Sequence, residues 1–336
     1  MGLKNNSVQL NFIKRMKEMV PPNYSLVDEM AELLSLSNDS AYRRIRGETA
    51  LSVDEMAILC NHYKIAFDSF SHHHSGTVTF NYKSLQNDEK SLEHYLSGIF
   101  EDLKKIKTFE KKEIIFAAED IPVFHYFNFR ELTTFKLFYW NKSSLHLSSL
   151  EGKKFNLPDI SKDLLDLSRQ IFDLYCQIPS VEIWTEETIS SVIKQIEFHW
   201  ESGFFVEKQD ALLICNQLLQ MIELIQKQTE KSSKFISDKG IKNVETENNF
   251  KLYQSEVMIG TNCVLVSKGD MLSTYLSYNT LYSMTTTNAD FCKETQIWLK
   301  NLIKKSILLS GVSEKQRHQF FSKMIDSVDK LKEKIN

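Results

Sequence analysis

The residues of this chain best able to do chemistry sit in one run, Ser37-Asn38-Asp39-Ser40-Ala41-Tyr42-Arg43-Arg44-Ile45-Arg46. A guanidinium is a planar fork that meets two acceptors at once, as on a guanine edge or a phosphate. An asparagine amide pairs in the same bidentate way with adenine, and hydroxyls at a helix start suit phosphate oxygens. Apolar residues are sparse in the run, so a helix built from it has a polar outer side. Such a helix, held on packed neighbours, is what reading base edges in a major groove requires. Ser37, Asn38, Asp39, Ser40, Tyr42, Arg43, Arg44 and Arg46 are therefore the candidate DNA contacts. The plainer alternative is a helical domain with a solvated arginine cluster.

The flanking segments read as the scaffold for that helix. Ser25 with Asp28, and Ser52 with Glu55, have capping-box spacing, and Leu51 with Met56 is placed as a hydrophobic staple. Val27, Met30, Ala31 and Leu34 make one apolar stripe; Met56, Leu59, Cys60 and Tyr63 make another at helical spacing. The three expected helices begin near Leu26, Asn38 and Val53.

Residues 26–70 resemble the helix-turn-helix of phage lambda repressor and Cro relatives, the XRE family. The resemblance rests on Ala31 early in the first motif helix, Leu36 after the turn, Ser37 opening the recognition helix and Gly47 ending it. A Phe67-Asp68-Ser69-Phe70 close completes it. It covers about the first 70 residues. Ser35 stands where the family usually has glycine, and Ile45 sits one residue later than the expected core aliphatic, which leaves Arg44 there. Which of Arg43, Arg44 and Arg46 faces DNA therefore stays open. The resemblance implies a DNA-reading domain whose contacts include Ser37, Asn38, Asp39, Tyr42, Arg43 and Arg46. The tail is loosely similar to that of one-component regulators from Bacteroidota, and that likeness assigns no residues.

Charge supports the motif only locally. Residues 1–75 carry eight Lys/Arg against nine Asp/Glu, and the whole chain has net charge −3. The cations are segregated, in Lys14-Arg15-Met16-Lys17 and in Arg43-Arg44-Ile45-Arg46. A focused basic face on a weakly charged domain predicts specific binding with modest non-specific affinity, and argues against a histone-like coat.

Composition narrows the classes further. A chain of 336 residues suggests two or three domains. It has no apolar run long enough to span a membrane and no signal-peptide core at its start, so a cytoplasmic location is expected. Cys60, Cys176, Cys215, Cys263 and Cys292 are far apart, with no C-x-x-C, which points to reduced thiols rather than zinc or disulfides. Ten glycines are few for phosphate-cradling loops, and no nucleotide, metalloprotease or hydrolase motif is present. No enzyme activity, cofactor or metal is expected. The histidines of the run 71–76 (SHHHSG) lack further ligands, so this segment reads as a linker.

Beyond it, 77–85 alternates as a strand and 88–107 reads as an amphipathic helix. Eight of the seventeen residues from Phe124 to Trp140 are aromatic. That segment reads either as core or as the wall of a ligand pocket, with Phe124, His125, Tyr126, Phe129, Arg130 and Trp140 as candidate ligand contacts. A subunit interface is a further reading; Glu119 and Asp120 border the segment and read either as polar contacts of such a pocket or interface, with His125 and Arg130, or as capping or ion-pairing groups. Helices are expected over 161–177, 187–201, 207–230, 290–309 and 314–335, the last capped by Ser313 with Gln316. An apolar seam along 207–230 and the surplus of aromatics predict that the tail dimerises. Residues 227–249 read as a mobile connection and 250–287 as short strands with turns.

The expected fold is mainly α: a lambda-repressor-like domain (1–75), a helical dimerisation or sensor region (76–240) and a small β-containing C-terminal section with two closing helices (241–336). The corresponding function is a dimeric, sequence-specific regulator on double-stranded DNA, open to a small-molecule or protein effector. The alternative is an adaptor or antitoxin-like protein whose tail holds a protein partner.

Overall fold

Short-range hydrogen bonds start the first helices where serine spacing predicts them. The computed structural model describes every residue except 1–6, 20–24, 64, 66–75, 83, 84, 86, 89, 158, 159, 236–247 and 279–281. Helix α1 spans Ser7–Met19, α2 Leu26–Leu33, α3 Asn38–Ile45 and α4 Val53–Tyr63. The Ser25 hydroxyl accepts the Asp28 N–H at 3.3 Å. Ser52 and Glu55 satisfy each other in both directions, Glu55 N–H to the Ser52 hydroxyl at 3.1 Å and Ser52 N–H to the Glu55 carboxylate at 2.9 Å. The Phe67–Phe70 close and His72, His73 and His74 lie outside the described residues.

The turn between α2 and α3 closes on a residue in the left-handed conformation, Ser35 at φ 52°. The Leu36 N–H reaches back to the Ala31 carbonyl at 2.9 Å and that of Ser35 to Glu32 at 3.2 Å, so orphan carbonyls at the end of α2 are satisfied. The end of α3 repeats the device with Gly47, φ 74°, where Glu48 N–H bonds the Arg43 carbonyl. Phe12, Ile13 and Met16 of α1, Met30 and Ala31 of α2, Ala41 and Ile45 of α3, and Leu59 and Tyr63 of α4 pack one core.

The chain divides into two compact units, residues 1–81 with 285–292, and residues 82–284 with 293–336. The second is mainly helical with a mixed sheet. Its helices are α5 (Ser91–Lys107), α6 (Arg130–Tyr139), α7 (Lys162–Cys176), α8 (Ser190–Glu201), α9 (Lys208–Glu230), α10 (Ala289–Lys305, which begins in the first unit) and α11 (Glu314–Ile335). The strands are β1 (Asn81–Tyr82), β2 (Lys112–Ala118), β3 (Ser180–Trp184), β4 (Phe250–Gln254), β5 (Cys263–Lys268), β6 (Met271–Tyr278), β7 (Tyr282–Thr286) and β8 (Ile307–Leu308). Among the described residues they form one sheet, in the order β1-β7-β6-β5-β2-β3-β4-β8. β2, β3 and β4 run parallel, linked by helical crossovers; β5 pairs antiparallel with β2, and β6 with β5.

Four expectations change here. The sheet is not confined to a C-terminal section, because β2 pairs directly with both β3 and β5; a domain boundary near residue 240 is therefore absent. The seam on α9 faces inward: Ile214, Leu218, Met221, Ile222 and Ile225 join the core shared with Phe320, Phe321 and Met324 of α11. It thus provides no free surface for dimerisation. Residues 227–235 do not belong to a loose connection, since α9 continues to Glu230 and Lys234 is fully buried. Finally, Ser313 precedes α11 but makes no side-chain capping bond; the Arg317 guanidinium instead binds the carbonyls of Leu309 and Gly311.

Candidate functional site

α3 is amphipathic in a narrow sense. Ala41 and Ile45, four residues apart, are buried and seat the helix on its neighbours. Ser37 closes its start, accepting the Ser40 N–H at 3.3 Å while its hydroxyl donates to the Ser40 hydroxyl at 3.0 Å. Asn38 and Asp39 are exposed, and the Asn38 amide donates to Asp28 of α2 at 3.0 Å. Tyr42, half exposed, lies beneath the Arg46 guanidinium at 5.5 Å. Arg43 pairs loosely with Asp39 at 3.5 Å and Arg46 with Glu48 at 3.2 Å, both on the exposed surface. Exposed pairs of this kind contribute little, so both guanidiniums can exchange partners at small cost.

Arg44 behaves differently. Its guanidinium turns back onto Glu55 of α4, and its Nη1 also donates to the Ser40 carbonyl at 3.3 Å. Those hydrogen bonds hold the Glu55 carboxyl below the usual range, although partial burial acts in the opposite sense. Arg44 is therefore committed to Glu55, whereas Arg43 and Arg46 are engaged only in exposed pairs. The displaced aliphatic has the same cause: Ile45 takes the core position, so its neighbour must lie at the edge.

One contributor was not apparent from sequence. Gln9 of α1 donates to the carbonyls of Arg44 at 2.8 Å and Thr49 at 2.9 Å, and accepts the Leu51 N–H at 3.1 Å. A single amide thereby clamps the connection from α3 to α4. Its partners lie 35 to 42 residues away, which no local pattern reveals. In the α1 basic run, Lys14 and Lys17 are exposed, whereas Arg15 donates to the Thr287 carbonyl at 3.2 Å.

The aromatic segment is mainly core, with Tyr139 at the edge of an open cleft. Phe124 stacks on Tyr175 with ring centres 4.2 Å apart. Tyr126 and Trp140 are buried, with the Lys136 ammonium 4.8 and 5.5 Å from their ring centres. Phe129 packs on the same core and Arg130 is exposed. His125 is buried, with Nε2 2.9 Å from a Glu182 carboxylate oxygen. Tyr175 and Trp184 donate to the same carboxylate, which burial would push up but the His125 charge and hydrogen bonds hold below its ordinary range. Beside it, the Lys234 ammonium sits over the Tyr175 ring at 3.7 Å and donates to Ser180; burial draws its pKa down to about 7. These groups satisfy one another.

An open cleft of about 1010 Å³ lies beside that core, lined by Glu119, Asp120, Tyr139 of α6, Thr185 to Glu187 after β3, and residues of α8, the end of β4, the connection that follows it and the end of β6. None of the six expected ligand contacts reaches it. Among the described residues Glu119 and Asp120 form no ion pair; both N–H groups donate to the Asn262 side-chain oxygen. Among the described residues no cluster of three or more His, Cys, Asp or Glu could hold a metal ion, and no helix is long and apolar enough to cross a membrane. Cys176, Cys215, Cys263 and Cys292 are buried. No protein-family model, curated protein or solved structure matches this chain.

Proposed function

We propose that this protein is a sequence-specific DNA-binding transcriptional regulator whose first unit is a lambda-repressor-like helix-turn-helix, with α3 as its recognition helix. One observation carries the reading. Arg43, Arg46 and Tyr42 project from α3 while Ala41 and Ile45 seat it and Arg44 is spent on Glu55. An eight-residue helix seated on its neighbours, with two guanidiniums engaged only in exposed pairs, suits bidentate contact to guanine and to phosphate.

A single short helix covers few base pairs. Pairing two copies about a two-fold axis doubles the contact and sets half-sites about 34 Å apart, so the active species in this reading is a dimer acting in the cytoplasm. The α9 seam and the aromatic segment do not provide its interface, being internal to one chain.

Selection of duplexes from a random pool by the full chain, followed by titration of the winner against salt, tests the proposal. The expected result is an inverted-repeat site bound with a steep salt dependence. Absence of any enriched sequence would remove the regulator reading and leave the adaptor.

A further inference from the structure

Beyond DNA binding, and independently of it, we propose that the cleft of the second unit is a binding site for a small organic cation carrying an apolar body.

Its place in the fold comes first. The three parallel strands β2, β3 and β4 all end at this cleft: Glu119 and Asp120 follow β2, Thr185 to Glu187 follow β3, and Ser255 and Glu256 follow β4. In open sheets with parallel strands, ligands settle outside the carboxyl ends. The volume of about 1010 Å³ lies at the upper end of the range for small-molecule sites.

The lining then selects the ligand. Among the described residues that line the cleft, Glu119, Asp120, Glu186, Glu187 and Glu256 are joined by one cation, Lys194, and the buried Lys136 ammonium behind the wall also feels the Asp120 charge. Glu186 is shared with Lys323 and Gln254, and Glu187 accepts from Ser190. No hydrogen bond or ion pair is made by the carboxylates of Asp120 and Glu256 among the described residues. Burial and the Asp120 charge together raise the pKa of Glu119, a repulsion that a bound cation would relieve.

Carboxylates alone would be a solvated acidic face; the rest of the wall makes this one a pocket. Phe198, Met258 and Tyr278 line it and leave much of their apolar surface in water, Met258 being 88 % exposed. Aromatic rings beside acids suit an ammonium joined to a hydrocarbon. A divalent metal fits less well, because no three of these acids converge.

Calorimetric titration of the full chain at low salt, with 2-phenylethylammonium and with 3-phenylpropionate, tests the assignment. The ammonium should bind and the carboxylate should not. Asp120→Asn and Glu256→Gln should each weaken binding about fivefold or more, while Glu101→Gln, an exposed acid on α5, should change nothing. Glu256 lies on an exposed connection, so its variant keeps the test valid should Asp120→Asn fail to fold. No ammonium binding at millimolar concentration, equal binding of the two probes, calcium binding in place of the amine, or full affinity in the Glu256 variant would each overturn the proposal.

Discussion

Arg44 and Glu55 form a bidentate pair across the first unit, with Nε 3.1 Å from both carboxylate oxygens and Nη2 2.8 Å from one. Both side chains are largely withdrawn from water, 16 % and 18 % exposed, unlike the pairs made by Arg43 and Arg46. Glu55 also closes the start of α4 through Ser52, so one carboxylate ties α3 to the next helix and caps it.

That relationship separates folding from DNA contact by residue. Arg44→Ala should lower the stability of the first unit by about 1.5–3 kcal/mol, the scale of a charge-assisted bond. Arg43→Ala and Arg46→Ala should leave the melting temperature unchanged and each weaken specific DNA binding by about 1–3 kcal/mol. Thermal melts beside fluorescence-anisotropy titrations on the selected duplex decide it. If Arg43 and Arg46 variants bind normally, α3 is not the reading helix.

Ser35 offers a prediction of the opposite sign. Its φ of 52° lies in the left-handed region, where a side chain costs about 1–2 kcal/mol and glycine pays no steric cost. Ser35→Gly should therefore stabilise the first unit, by about 0.5–1 kcal/mol once the greater freedom of unfolded glycine is set against the gain. A chemical-denaturation midpoint that falls in this variant would mean that the Ser35 side chain is holding the turn. Ala31→Glu, at a buried position between helices, should by contrast abolish the cooperative melt of that unit.

These contrasts show which parts of the molecule are readable in the chain. Ser25, Ser52 with Glu55, and Gly47 act on groups three to five residues away, and their spacing predicts what they do. The inward turn of Arg44 depends on a carboxylate eleven residues later, and the Gln9 clamp on partners some forty away. β3 is not legible because Glu182 interrupts its apolar run, and only the fold supplies the His125, Tyr175 and Trp184 donors that make burial tolerable. The seam of α9 is legible as a seam, but nothing in its period says that α11 of the same chain covers it. The cleft draws on chain segments from residue 119 to residue 278, so only the sheet assembles it.

The carboxylate of Glu182 is the hub of the second unit. Tyr175→Phe removes one donor to a buried charge and should cost about 1.5–3 kcal/mol. Glu182→Ala removes the acceptor of three buried donors and a carboxylate that favours the buried Lys234 ammonium, so it should cost more, about 3–5 kcal/mol. Urea denaturation of both variants gives the order. A Glu182 variant as stable as the parent would mean that water replaces the carboxylate among those donors.

His199 sets a pH dependence that the same method reads. Its ring is fully buried among Phe135, Phe138, Tyr139 and Phe205; Nδ1 donates to the Gln195 carbonyl at 3.0 Å, while Nε2 has no partner among the described residues. Burial draws its pKa down from 6.5 to about 4, so the folded protein keeps the ring neutral. In the unfolded chain the same ring takes up a proton as pH falls through 6.5. The unfolded state then binds more protons than the native one, and stability falls by about 1.4 kcal/mol per pH unit down to about pH 4. Above pH 6.5 the group contributes no slope. His199→Phe keeps a ring in the cage and removes the titration, so its stability should lose less than the parent's between pH 6.5 and 4. Parallel stability–pH curves for the two proteins over that window would show that the ring is protonated in the native state and that its Nε2 has found a partner in solvent.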